Sequence, residues 1–160
     1  MSTMLVAYFS ASGTTQRLAQ RLASVIDAPI YQILPEVPYT QADLNWRDRI
    51  SRSSLEMQDL SSRPPLADHD APVADADVIF VGFPIWWYRE PSIIDTFLEA
   101  YDLAGKTIVP FATSGGSGMG DTASRMREIA GEGVTVLDGA RIAAGATTGQ
   151  LEAWVAGLGL

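Results

Sequence analysis

The chain contains no cysteine. That excludes disulfides, thiolate nucleophiles and sulfur-ligated metals. It has one histidine, His69, in the Pro- and Asp-rich stretch PPLADHDAP. A Ser-His-Asp triad is not excluded by count, but no GxSxG elbow is present and His69 falls in an expected surface loop. The DHD triplet reads as an exposed turn, so no metal ligand is assigned. No apolar run reaches the roughly 18 residues that a membrane span needs, and no membrane partner is expected. The N-terminus lacks a basic leader, and the expected location is cytoplasmic. Basic residues are also few: 11 Lys and Arg against 19 Asp and Glu give a formal charge of −8. That balance argues against nucleic acid as a partner, because phosphate backbones need a basic surface. No catalytic side chain is assigned, and a bound cofactor would have to carry any chemistry.

The 160 residues, 47% of them hydrophobic, are enough for one domain with a proper core and rule out a disordered chain. Apolar runs at Leu5–Phe9, Ile30–Leu34, Val78–Val81, Thr107–Phe111 and Val134–Leu137 read as five strands. Between and after them lie helical stripes: Leu18, Leu22, Val25 and Ile26; Ile93, Ile94, Phe97, Leu98 and Tyr101; Met119, Ala123, Met126 and Ala130; Leu151, Trp154, Val155 and Leu158. Thr147 and Gln150 are spaced for a capping box on the last helix. Strands alternating with helices imply a doubly wound α/β fold, a parallel sheet with helices on both faces. The chain is read as a single domain, 1–160, with an insertion at about 35–66 that is too long for a plain crossover. Leu44, Ile50, Leu55 and Met57 suggest a helix with a modest apolar side there, and its four arginines meet five acids.

Ligands in such sheets bind at the carboxyl ends of the strands, and three loops should share that edge. The first is Ser10-Ala11-Ser12-Gly13-Thr14-Thr15. It can cradle a phosphate with helix N-terminal N–H groups and four hydroxyls, or serve as a simple N-cap turn. The second runs from Gly82 through Pro84, Ile85, Trp86, Trp87 and Tyr88. Its rings can stack on a planar ligand or cap the sheet edge. The third, Thr113 to Gly120, holds four glycines. It can form a backbone N–H nest or a flexible turn.

SASGTT resembles the phosphate loop of the flavodoxin-like family. The stretches Tyr8–Thr15, Gly82–Trp87 and Thr96–Gly118 are similar to blocks of its NAD(P)H-dependent oxidoreductase group. The resemblance implies a five-stranded sheet in order 2-1-3-4-5 and FMN as cofactor. It further implies that Ser10, Ser12, Gly13, Thr14 and Thr15 hold the phosphate. Pro84, Ile85, Trp86 and Trp87 would line the flavin ring, and Thr113, Ser114, Gly115 and Gly116 would approach its pyrimidine edge. Thr14 stands where the group often has Asn, and Arg89 where small residues are common. The expected function is an FMN-dependent oxidoreductase passing electrons from NAD(P)H to a quinone or other small acceptor. The alternative is an electron carrier docking on redox proteins through its acidic surface. The two differ in the insertion: a lid over the flavin suits a substrate pocket, and an insertion folded away leaves the ring edge open. A receiver-type domain is disfavoured, because Ser10 stands where such domains place a phospho-accepting Asp. A homodimer is compatible with all of these readings.

Overall fold

Alternation along the central strands sends successive side chains into two separate cores. The computed structural model describes residues 3–114 and 118–160. Strands β1 (Met4–Tyr8), β2 (Ile30–Gln32), β3 (Val78–Pro84), β4 (Thr107–Thr113) and β5 (Thr135–Val136) are parallel, in the order β2-β1-β3-β4-β5. Leu5, Ala7, Ile79, Val81, Phe83, Ile108 and Ala112 enter one core. Helices α3 (Ser92–Ala100) and α4 (Thr122–Ala130) cover it with Ile93, Ile94, Phe97, Leu98 and Met126. Val6, Tyr8, Val78, Phe80, Val109 and Phe111 enter the other, under α1 (Thr14–Ile26) and α5 (Thr148–Ala156). Burial on both faces explains why these strands read as continuous apolar runs. The α5 capping box forms as expected: Gln150 N–H donates to Thr147 Oγ1 at 3.1 Å and Thr147 N–H to Gln150 Oε1 at 2.9 Å.

Of the expected fifth strand, Val134–Leu137, Thr135–Val136 forms β5, and a further short strand follows it. After β5 the chain loops out and returns as β6 (Ala140–Arg141), which also pairs with β4. The break lies opposite Pro110. Proline has no N–H to give the edge strand, so a ladder rung is missing there. Gly139, at φ 69°, takes the gap, and any Cβ on it would overlap the Pro110 carbonyl. The fourth helix begins at Thr122, leaving Met119 in the preceding loop.

The 35–66 segment is closed at its base by an antiparallel bridge between Pro35 and Leu66. Glu36 N–H donates to Pro65 O at 2.9 Å and Ala67 N–H to Leu34 O at 2.8 Å. Its one helix, α2 (Arg52–Gln58), is capped by Ser51. Of the expected apolar side only Met57 is buried, while Ile50 and Leu55 face outward. Side-chain bonds and one tyrosine, described below, hold the segment instead of a continuous helix face.

Gly82 lies where β1, β3 and β4 meet, and a Cβ there would overlap the Phe111 ring. Gly82→Ala is expected to destabilise the fold by about 1–3 kcal/mol through overpacking. Denaturant titration checks this, and Phe111→Leu in the same chain should recover part of the loss.

Candidate functional site

The first loop turns at Gly13, whose φ of 90° is a left-handed conformation that glycine adopts without strain. Its N–H donates to Ser10 Oγ at 3.0 Å. No side chain caps α1, and its first helical bond runs from Arg17 N–H to Gly13 O at 3.1 Å. The N–H groups of Thr14, Thr15 and Gln16 therefore have no partner among the described residues. Ser12 and Thr14 hydroxyls lie beside them, 3.4 Å apart. Three unpaired donors at the positive end of a helix, flanked by hydroxyls, fit a phosphate group. Thr15 is placed differently from its neighbours. It is buried, and its Oγ1 lies 2.8 Å from Thr113 Oγ1, tying α1 to the end of β4. Two hydroxyls sharing one bond keep one proton free to donate. This contact joins the first and third loops; Ser114 is half-buried beside it. Gly115 and Gly116 lie outside the described residues.

The second loop is a tight hairpin turn. Trp86 N–H donates to Arg89 O at 3.0 Å and Arg89 N–H to Trp86 O at 3.1 Å. Both central residues have positive φ, 47° at Trp87 and 65° at Tyr88. That turn ordinarily takes Asn and Gly, and a bulky ring at either position is strained. It is clamped from the third loop: Gly120 packs against the Tyr88 carbonyl so closely that no Cβ fits, and Asp121 N–H reaches Tyr88 O at 3.4 Å. The turn separates the three rings. Trp86 packs edge-on to Phe9 and Tyr39, at 5.7 and 5.6 Å between ring centres. Trp87 and Tyr88 point outward, 42% and 71% exposed. Pro84 and Ile85 are half-buried, and Ile85 N–H donates to Thr113 O at 2.9 Å.

Beneath this turn lies a charge cluster that sequence reasoning missed. Arg89 is buried and donates to the carbonyls of Glu90 at 3.1 Å and Met57 at 3.3 Å, the latter at the end of α2. Arg125 from α4 donates to Glu90 Oε1 at 3.0 Å and Asp95 Oδ2 at 3.1 Å. Arg63 approaches Asp95 at 3.8 Å and pairs with Glu99 at 2.8 Å. Glu90 and Asp95 are fully buried, and Glu90 Oε2 and Asp95 Oδ1 have no partner among the described residues. Burial, then the neighbouring Asp95 carboxylate, pushes Glu90 up from 4.5 to about 8. Asp95 carried a signal in the sequence: it stands three residues before Leu98 and shares the buried side of α3. Arg89 resembled only an odd rim residue.

Tyr39 pins the insertion to the turn. Its hydroxyl donates to Glu56, the Arg52 guanidinium lies 3.9 Å from its ring centre, and its ring meets Trp86. Between insertion and turn is a cavity of about 540 Å³ lined by Leu44, Trp46, Ser53, Ile85, Trp86, Trp87 and Tyr88. A second hollow of about 470 Å³ lies where the turn, α2 and α4 meet, against Trp87, Met57 and Arg125. Among the described residues no group of His, Cys, Asp or Glu could hold a metal, and no helix is long and apolar enough to cross a membrane.

A parallel sheet in this order, with an uncapped hydroxyl-lined helix start and an aromatic turn on one edge, defines the flavodoxin-like class. The chain belongs to the flavodoxin family, whose model, described as Flavodoxin, matches residues 3–158. It is 41% identical to a protein assigned as a flavoprotein from Bacteroides eggerthii DSM 20697, with a TM-score of 0.94, over 100% of this chain and 99% of that one. It is 43% identical to another so assigned from Bacteroides uniformis ATCC 8492, with a TM-score of 0.91, over 97% and 98%. A flavoprotein from Lactobacillus acidophilus NCFM, solved in complex with FMN, shares the fold at 21% identity and a TM-score of 0.69, over 89% and 93%. No curated protein matches the chain.

The Glu90 carboxyl sets a pH dependence. It holds its proton to higher pH in the folded chain than in the unfolded one, so the native state binds more protons between about pH 4.5 and 8. Its contribution to stability is full below that window and is lost as pH rises through it. Denaturant titrations across the window should show wild-type stability falling relative to Glu90→Gln. Parallel curves for the two proteins would contradict the assignment.

Proposed function

We propose that the chain is an FMN-binding flavoprotein that passes electrons from a nicotinamide donor to a small acceptor. The observation that carries the FMN reading is the start of α1, where three unpaired N–H groups and the Ser10, Ser12 and Thr14 hydroxyls converge next to the aromatic turn. The FMN complex of the Lactobacillus acidophilus protein, which shares this fold, supports it. The N–H groups of Thr14, Thr15 and Gln16 would hold the phosphate, with the Ser12 and Thr14 hydroxyls beside them and Gly13 making the turn. Pro84 to Trp87 and Thr113 to Ser114 would hold the ring. FMN, when bound, accepts a hydride or single electrons. The protein's part is to bind and orient the ring and to exclude water from one side of it.

The enzyme reading draws support from the insertion. It lies on the aromatic turn through Tyr39 and Arg89 and leaves a walled cavity beside it. The carrier reading has its own observation: Trp87 and Tyr88 reach the surface of a chain with net charge −8.

The apoprotein should bind FMN at least about tenfold more tightly than riboflavin, since hydrogen bonds to a charged phosphate contribute about 1.5–3 kcal/mol each. Gly13→Val should remove that preference while leaving the circular dichroism spectrum native. Equal affinity for the two flavins would overturn the phosphate assignment. Anaerobic mixing with NADH and NADPH separates the other two readings. Direct bleaching of the flavin band supports the enzyme, and bleaching only through a reductase protein supports the carrier.

A further inference from the structure

We propose that the chain pairs with a second copy of itself across the face centred on Tyr88, as a two-fold symmetric dimer in which Arg47 of each copy meets Glu128 of the other. Large apolar side chains left exposed gather on this face. Trp87 and Tyr88 stand between the two hollows and line both of them, while Trp46 lines the first and Leu60 the second. Trp46 is 66% exposed, Leu60 57% and Tyr88 71%. Scattered exposed apolar residues are ordinary, but large ones gathered in one place mark an interaction surface. Tyr88 gives the clearest sign. At a φ of 65° its bulky side chain is strained, and Asn or Gly would suit the position better. In the single chain the ring stays mostly in water, so its burial does little to offset that strain. Burial against a partner would. The backbone is already fixed by Gly120 and Asp121, so docking has nothing further to order there.

Charge identifies the partner as this chain. At a net charge of −8, two copies repel over most of their surfaces. This face differs, because opposite charges flank its rings at the two ends. At the Trp46 end stand Arg47, its guanidinium 5.1 Å from the Trp46 ring centre, and Arg49 two residues on. At the Leu60 end Asp121 and Glu128 line the second hollow. All four are exposed, and none of them forms an ion pair among the described residues. Asp48, between the two arginines, accepts from Ile50 N–H at 3.1 Å and leaves that end with one net positive charge. The insertion's other arginines are committed, Arg52 to Glu56 and Arg63 to Glu99. A two-fold axis through Tyr88 turns one copy end for end on the other, so each cationic end meets an acidic end. A basic partner protein would match only the acidic end and would meet Arg47 and Arg49 at the other. The dimer covers the openings of both hollows. It stands apart from the flavin reading, since Arg47, Tyr88 and Glu128 have no part assigned in holding FMN.

Sedimentation velocity of the full chain over a concentration series, with and without FMN, tests this. Both series should show one monomer–dimer equilibrium and no larger species. Arg47→Glu and Glu128→Arg should each weaken the dimer at least about tenfold, because the two-fold axis turns each reversal into two repelling pairs. Mixing the two variants, or combining both changes in one chain, should restore association to within about threefold of the wild type. That rescue separates lost complementarity from misfolding. Tyr88→Asn, which suits the turn, should weaken the dimer at least about tenfold by removing the central ring from both copies. A wild type that stays monomeric overturns the proposal. So does a dimer that neither reversal weakens, or a loss that neither mixing nor combination repairs. Association abolished by FMN would give the face to the flavin and overturn it. Binding of cytochrome c, as a basic probe protein, by a chain that does not self-associate would give the face to a redox partner and overturn it as well.

Discussion

The Arg89 guanidinium is the point through which the functional edge is assembled. It is buried between the Glu90 and Met57 carbonyls, with the Asp95 carboxylate 3.5 Å away. Those partners belong to the aromatic turn, the insertion helix and α3. Arg125 carries the same cluster on to α4 through Glu90 and Asp95. A buried charge is costly unless its hydrogen bonds are met, and a guanidinium cannot shed its proton to escape. The four elements must therefore keep their relative positions for the cluster to remain satisfied. Three arginines against Glu90, Asp95 and Glu99 is a balance that each member depends on. Burial first, and then the neighbouring Asp95 carboxylate, favours the protonated form of Glu90 within this cluster.

This fixed base explains how the turn above it tolerates its conformation. Two aromatic residues at positive φ would open in an isolated peptide. Here the turn closes on Arg89 at one end and is braced by Gly120 and Asp121 at its tip. The strain divides the rings by role. Trp86 turns inward, half-buried against Phe9 and Tyr39, and Trp87 and Tyr88 are held out at the surface. A relaxed extended loop would alternate its side chains and could not send two consecutive rings outward. The insertion uses the inward ring as its anchor, so the cavity it forms follows from the turn's geometry.

The first loop is built on a different principle. Its donors are backbone groups that α1 leaves unpaired, so their position depends on the strand-to-helix connection and on Gly13 rather than on any reactive side chain. The Thr15–Thr113 contact ties that connection to the neighbouring strand end. A chain without cysteine and with one exposed histidine can in this way offer an ordered polar site.

Local pattern was enough to locate the central strands and the loops between them, while the strand order came with the family resemblance. The apolar runs of β1, β3 and β4 are long because both faces are buried, and the α5 capping box depends on residues three apart. SASGTT identified the first loop because a glycine between hydroxyl residues acts locally. Long-range contacts decided the rest. Pro110 lies across a strand gap from the break between β5 and β6, where no window on Val134–Leu137 could register it. Arg89, Glu90 and Asp95 become a cluster only when α4 brings Arg125 and the insertion brings Arg63 to them. Trp46 and Ser53 become walls of a cavity only because the insertion closes at Pro35 and Leu66 and lies back on the aromatic turn. Periodicity and capping act within one element and are written in neighbouring residues. Ion pairs, strand edges and cavities are made by residues far apart in the chain, and the packing of the whole fold determines which of them meet.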